Sequence, residues 1–576
     1  MRVFSFFLFI FLSVSALAQK HITTRFEQSG GTESPVYAEI IAWWKALDAT
    51  SPLVKLQTIG ETDAGFPLHY ILVSTDGDFD LASLKRKGKA IIFINNGIHP
   101  GEPDGIDASM LLVRDIIEKK QALSKNVVLA LIPVYNVGGA LNRSKDYRID
   151  QAGPVEKGFR GNAQNLDLNR DFIKMESKNA LAFSRLFHLL DPDIFIDNHV
   201  SNGADYQHVM TLLTTQHNKL GGTMGTYLNT KLEPALYTLM QQKGFDLVPY
   251  VNHSEKTPDV GWVQFWDSPR YSTGFASLWN TFAFMPETHM LKPYAQRVKA
   301  TYALMQSFIE FTAANYGQMK KLRRETNEAQ QAQDSFTIAW KQDRTEFTEI
   351  NFKGYEAGYK KSSVSGLNRL YYDRAKPFEK KVPFYNRYRD SIRIARPKAY
   401  LIPQGWQAVI ERLQAAGVQV QRLANDTTIN VEDYRIESYQ SYPKPYEGHH
   451  VNYNVQVSKA MKRMPFRKGD YLIIMNQKAN RFLMETLEPQ GEDSYFAWNF
   501  FDAILQQKEG FSDYAFEETA ETFLKAHPDV YEALEMKKKS DTAFANNAEA
   551  QLDFVYKHSP YYEPAHLQYP VYRVVP

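Results

Sequence analysis

Two apolar runs with no polar interruption stand out along the chain, Ala-Ile-Ile-Phe-Ile (90–94) and Ile-Phe-Ile (194–196), each followed by polar residues and glycine. Short runs rich in β-branched and aromatic residues, stopped by Gly and Pro, read as strands buried on both faces. Trp-Asn-Thr-Phe-Ala-Phe-Met-Pro-Glu-Thr-His-Met (279–290) reads as another. Residues 295–311 instead carry apolar side chains at helical spacing, which predicts an amphipathic helix. The mixed-charge run 320–334 continues it as a solvated face and marks a boundary. Beyond it, alternating segments at 336–340, 344–352 and 383–394 predict a β-rich piece. Segments 399–403, 406–416, 418–423 and 470–475 then predict a small α/β or α+β unit.

At 576 residues the chain is too long for one core, so several domains are expected. We divide it into a leader (1–18), a main α/β domain with a mixed twisted sheet flanked by helices (19–334), a β-rich segment (335–398) and an accessory unit (399–576). The leader has Arg2, an apolar stretch (6–12) and Ala16-Leu17-Ala18, the pattern of a secretory signal cleaved after Ala18. Its apolar stretch is too short for a membrane span, so a secreted or periplasmic protein is expected. A net charge of +2, without a basic stripe, argues against a nucleic-acid partner. Cysteine is absent, which removes disulfides and thiolate ligands from consideration.

The loop after the first run, Asn-Asn-Gly-Ile-His-Pro-Gly-Glu-Pro (95–103), places His99 and Glu102 at a strand end. An imidazole with a carboxylate suits Zn²⁺, although alone the pair fits a loop hydrogen bond equally well. A catalytic zinc needs three protein ligands and one open position. His199, 97 positions after Glu102, supplies the third if the two strands are parallel neighbours, because their carboxyl ends then line one crevice. Adjacent His449 and His450 face opposite ways in an extended chain and read as part of a solvated loop.

Between these ligands lies Phe-Arg-Gly-Asn-Ala-Gln-Asn-Leu-Asp-Leu-Asn-Arg-Asp-Phe (159–172). Together with His99-Pro-Gly-Glu102 before it and His199 after it, this segment resembles the zinc metallocarboxypeptidases of the A/B and N/E type, with spacing like that of the regulatory N/E branch. The resemblance implies one zinc on His99, Glu102 and His199. It implies that Asn169 and Arg170 hold the substrate's terminal carboxylate, that Arg160 polarises the scissile carbonyl, and that Asp167 accepts a hydrogen bond from His99. It also implies a catalytic Glu after the third ligand, matched by Glu287, and a substrate-binding Tyr, matched by Tyr271. These roles are chemically sound. A guanidinium fork matches a carboxylate bidentately, a second Arg stabilises an oxyanion, and a carboxylate beside a ligand His fixes its tautomer. Arg143 and Arg148 are alternatives to Arg160, and His289 shares the face of Glu287.

The expected function is hydrolysis of the C-terminal peptide bond of peptides with a free C-terminus. One alternative is a zinc amidohydrolase acting on N-acyl amino acids or cell-wall peptides. From another class comes a noncatalytic peptide-binding protein on the same scaffold, which would be marked by loss of a ligand or of the base; neither is lost.

Overall fold

The computed structural model describes residues 22–251 and 257–575, so the expected signal segment lies outside the described residues. A 9-stranded mixed sheet organises residues 54–289. In chain order its strands are β1 (Val54–Glu61), β2 (Pro67–Val73), β3 (Ala90–Asn95), β4 (Val127–Ile132), β5 (Ile194–Asp197), β6 (His199–Ser201), β7 (Met210–Thr214), β8 (Val248–Pro249) and β9 (Phe282–His289). Their spatial order is β1-β2-β4-β3-β5-β9-β7-β8, and β6 pairs with β9. The central strands β4, β3, β5 and β9 run parallel, while β1, β2 and β7 join antiparallel.

Every residue of β3 and β4 is buried, which explains the uninterrupted apolar runs. Successive strand side chains alternate between faces. Ile91 and Phe93 therefore enter one core with Phe183 and Phe187 of α3 (Lys178–Leu190). Ile92 and Ile94 enter the opposite core, against α1 (Tyr37–Thr50), α2 (Asp104–Ile117) and α4 (Tyr294–Ala332). The expected α/β class with a mixed sheet flanked by helices is what the chain adopts. The helix expected at 295–311 is the first part of α4, which continues unbroken through most of the mixed-charge run.

After α4, Ser335–Asp343 pairs with Arg387–Ala395, and Thr348–Lys361 pairs with Asn368–Tyr385, as antiparallel ribbons. A six-stranded sheet follows, in which Ala399–Ile402 lies between Tyr471–Ile474 and Tyr572–Val574. The long hairpin of Thr427–Ser441 with Asn452–Phe466 extends this sheet. That hairpin is mostly exposed, so it carries little apolar signal in the sequence. Tyr400, Ile410, Phe482 and Trp498 share one continuous core with Phe93 and Phe183, so the C-terminal region packs directly on the α3 face. Among the described residues no helix is long and apolar enough to cross a membrane.

Candidate functional site

Strand register brings three distant segments together. Asn95 lies opposite Asp197 in the parallel β3–β5 pair, and His199 lies opposite Glu287 in the parallel β6–β9 pair. The 96–103 loop, His199 and Glu287 consequently meet in one crevice at the carboxyl ends of the parallel strands. The chain leaves β3 through Gly97 at φ +66, a left-handed conformation that side chains resist. Gly101 lets another segment approach, since a Cβ there would sit 2.7 Å from Arg148 Cδ.

His99, Glu102 and His199 are each 3–4 % exposed, and their ligand atoms lie within 4.8 Å of one another. His99 Nε2 sits 2.9 Å from Asp167 Oδ1, and His199 Nε2 sits 3.0 Å from Asp197 Oδ2. A carboxylate only accepts, so each Nε2 donates to its Asp, and each Nδ1 is turned toward Glu102, where it can ligate a cation once it carries no proton. The gaps are 3.3 Å from His99 Nδ1 to Oε1 and 3.1 Å from His199 Nδ1 to Oε2. His99 Nδ1 is buried with no hydrogen-bond partner. Two buried imidazole nitrogens gathered round a buried carboxylate, one of them without a hydrogen-bond partner, form a donor set that could hold a cation. Bonds of roughly 2.0–2.2 Å to one tetrahedral ion place ligand atoms about 3.3–3.6 Å apart, so the three side chains fit zinc. Burial opposes protonation of His199, yet Asp197 and Glu102 hold its proton affinity well above the ordinary value, the same preference for positive charge. Burial likewise pushes Glu102 up, but Arg148 and His99 outweigh it and keep the carboxyl ionised.

Asp197 was not singled out from sequence, although it stands two positions before His199 and so shares its strand face. Its Oδ1 accepts from Asn95 Nδ2 at 2.9 Å, which leaves Oδ2 to orient the imidazole. Asp197→Asn is expected to raise the zinc dissociation constant roughly 10–100-fold with the fold intact, the usual cost of losing such a supporting carboxylate. Competition with a chromogenic chelator measures this, and an unchanged constant would remove Asp197 from the metal centre.

Glu287 is buried, and its carboxyl makes no hydrogen bond to another described residue. Burial pushes its pKa up to about 8 against the opposing pull of His199, which makes it a better proton acceptor than an ordinary carboxylate. His289 shares the face of Glu287 but is occupied elsewhere. Its Nδ1 accepts from Leu291 N at 3.0 Å, its Nε2 donates to the Ala204 carbonyl at 2.8 Å, and its ring lies edge-on to Tyr206.

The 159–172 segment closes the crevice. Asp167 caps a short 3₁₀ turn, Leu168–Arg170, by accepting from Asn169 N. Asn169 Oδ1 accepts from Ser272 N at 3.2 Å, which leaves its amide hydrogens for a ligand. The Arg170 guanidinium lies 4.5 Å from the centre of the Tyr271 ring. Arg160 bonds Asp167 through Nε and Nη2 and remains 46 % exposed. Of the two alternatives to Arg160, Arg148 reaches the centre, with Nη1 donating to Glu102 Oε1 at 2.7 Å. Arg143 is held away by the carbonyls of Ser34 and Pro35. His99, Glu102, His199, Arg160, Asn169, Arg170, Tyr271 and Glu287 all line one cavity of about 500 Å³, with Leu213, Phe265 and Met285 on its apolar wall. Such a volume is within the range of small-ligand sites.

The 442–450 loop is not simply solvated. His449 Nε2 pairs with Glu176 Oε2 at 2.8 Å, and Tyr446 Oη accepts from Arg170 Nε at 2.8 Å. No local pattern at 442–450 signals a contact with residues that lie some 270 positions earlier.

Comparison with known proteins agrees with this geometry. Residues 40–200 match the family model for zinc carboxypeptidases. Carboxypeptidase 2 of Trichophyton tonsurans is 20 % identical over 455 residues, covering 75 % of this chain and 77 % of that protein. Carboxypeptidase 2 of Trichophyton rubrum matches to the same extent. Among solved structures, carboxypeptidase A of Helicoverpa armigera aligns with a TM-score of 0.37 at 13 % identity, over 49 % of this chain and 73 % of that one. The matched segment 40–200 contains His99, Glu102, the Asp167-Leu168-Asn169-Arg170 run and His199, so this part of the chain is similar to the zinc carboxypeptidases.

Proposed function

We propose that this protein is a secreted zinc-dependent carboxypeptidase that removes the C-terminal residue of peptides. The observation that carries the reading is the single cavity in which a His-Glu-His centre, a buried carboxyl and the Asn169–Arg170 pair all face one another. His99, Glu102 and His199 would hold one zinc, which when bound supplies a Lewis acid and eases deprotonation of the attacking water. Glu287 takes the proton from that water and passes it to the departing amine. Arg160, half exposed and paired with Asp167 and, at 3.7 Å, with Glu102, borders the cavity where it can stabilise the developing oxyanion. The Asn169 amide and the outer Arg170 nitrogens receive the terminal carboxylate, with Tyr271 closing over it. Residues 19–334 are the catalytic domain in this reading, residues 335–398 a β-rich segment and residues 399–576 an accessory unit. Secretion rests on the sequence of residues 1–18.

Amidating the C-terminus of a peptide substrate tests the reading. The amide cannot form the charge-assisted pair with Arg170, worth about 1.5–3 kcal/mol, so kcat/KM is expected to fall roughly 10–150-fold. Parallel assays of the two peptides by mass spectrometry measure the ratio and report exo- against endo-cleavage. Equal cleavage of both would end the exopeptidase reading in favour of an endopeptidase or amidase.

A further inference from the structure

The C-terminal region does more than pack against the catalytic sheet. Its 446–449 turn enters the site wall at the point where the clamp residues emerge. Tyr446 N donates to the His449 carbonyl, and His449 N donates back to that of Tyr446, enclosing a two-residue hairpin turn. Turns of this type need positive φ at both central positions, and Glu447 (φ +51) and Gly448 (φ +81) supply it. Glycine at 448 is the ordinary solution; glutamate at 447 is not, and backbone strain of this kind persists where a side chain has a task. Here Glu447 Oε2 accepts from Asp167 N at 2.8 Å. The turn therefore bonds both ends of the Asp167–Arg170 run, Glu447 at its first residue and Tyr446 at its last.

The loop bearing Tyr271 is fixed from the same side. Arg270, immediately before it, bonds Asp493 through its backbone N (2.9 Å) and Nε (2.8 Å). The Arg270 guanidinium lies 4.9 Å from the Trp498 ring and 5.7 Å from that of Tyr446. Trp498 in turn stacks on Tyr446. Arg170 thus has its Nε bonded to Tyr446 and one Nη1 hydrogen bonded to the Asn169 carbonyl, while its open end faces the cavity.

We propose that Tyr446, supplied by the C-terminal region, is a positioning residue for the carboxylate clamp, holding the Arg170 guanidinium in the orientation that receives the substrate's C-terminus. An arginine has many rotamers, and freezing them on binding opposes affinity. The Tyr446 hydroxyl holds Nε while the Asn169 carbonyl holds Nη1, and the two bonds together set the plane of the fork. On this basis the C-terminal region takes part in substrate recognition. The inference rests on the carboxylate-clamp reading of Arg170.

The experiment compares full-length wild type, Tyr446→Phe and Arg170→Ala on one peptide as the free acid and as its C-terminal amide, with zinc content measured on each preparation. Phenylalanine keeps the ring stack and deletes only the hydroxyl. The expected result for Tyr446→Phe is a KM for the free acid raised roughly tenfold with kcat within about twofold, because the clamp binds ground state and transition state alike. Its kinetics on the amide and its zinc content stay at the wild-type level. Arg170→Ala is expected to lose the distinction between acid and amide. If Arg170→Ala loses that distinction while Tyr446→Phe keeps the wild-type KM, the positioning role is overturned and the clamp stands. If Arg170→Ala keeps the distinction, the clamp reading itself falls and this inference with it. A fall in kcat on both peptides alike in Tyr446→Phe would mark a merely structural contact and also overturns the proposal.

Discussion

Replacing Glu287 by glutamine is expected to lower kcat by roughly 10²–10⁴ while leaving zinc content, folding and KM close to wild type, the scale on which enzymes lose a general base. Glutamine has the same shape but cannot take a proton from water. The exchange disturbs little else, because the Glu287 carboxyl bonds no other described side chain and its backbone stays paired within β9. Desolvation raises its proton affinity, and that advantage disappears with the amide. Turnover and zinc measured on one preparation decide the matter. Near-normal turnover in a zinc-replete variant would assign the base elsewhere. A wild type that holds zinc yet hydrolyses nothing across a broad panel of peptides and N-acyl amino acids would make the protein a binding module on this scaffold.

His199→Ala is expected to have an effect of similar size through loss of the metal. The variant removes one of the three atoms proposed to hold zinc and leaves Asp197 without its imidazole partner in a buried site. Losing a direct ligand should exceed the roughly 10–100-fold cost in affinity of losing a supporting carboxylate. Zinc should then drop from one per chain to a small fraction after dialysis, and turnover should fall in proportion. Elemental analysis of wild type and variant gives the answer. Unchanged zinc in the variant would displace His199 from the centre, and His289 could not replace it without giving up both of its present hydrogen bonds.

What the sequence determined by itself is the local chemistry and the elements that carry it. The runs at 90–94 and 194–196 read as buried strands because they are short, rich in β-branched and aromatic residues and stopped by polar residues and glycine. The glycines and prolines after the first run force a tight loop, so His99 and Glu102 had to stand at its edge. Asp167, Asn169 and Arg170 are legible because they lie within one short turn, where spacing in sequence is nearly spacing in space. Elements with weak apolar contrast escaped this reading, among them the exposed hairpin of Thr427–Ser441 with Asn452–Phe466.

Only the tertiary structure decided which distant groups meet. The parallel register of β3 with β5, and of β6 with β9, selects His199 and Glu287 from the other candidates along the chain. His289, two positions along the same strand, is diverted by the Ala204 carbonyl and Leu291 N, partners no local pattern announces. Arg148 rather than Arg143 reaches Glu102 because Gly101 leaves it room. Tyr446 and Glu447 reach the Asp167–Arg170 run because the core on the α3 face runs unbroken into the C-terminal sheet that carries their turn. The physical reason is common to all four: hydrophobic periodicity encodes which face of an element is buried, whereas the neighbour buried against it is set by the packing of the whole chain.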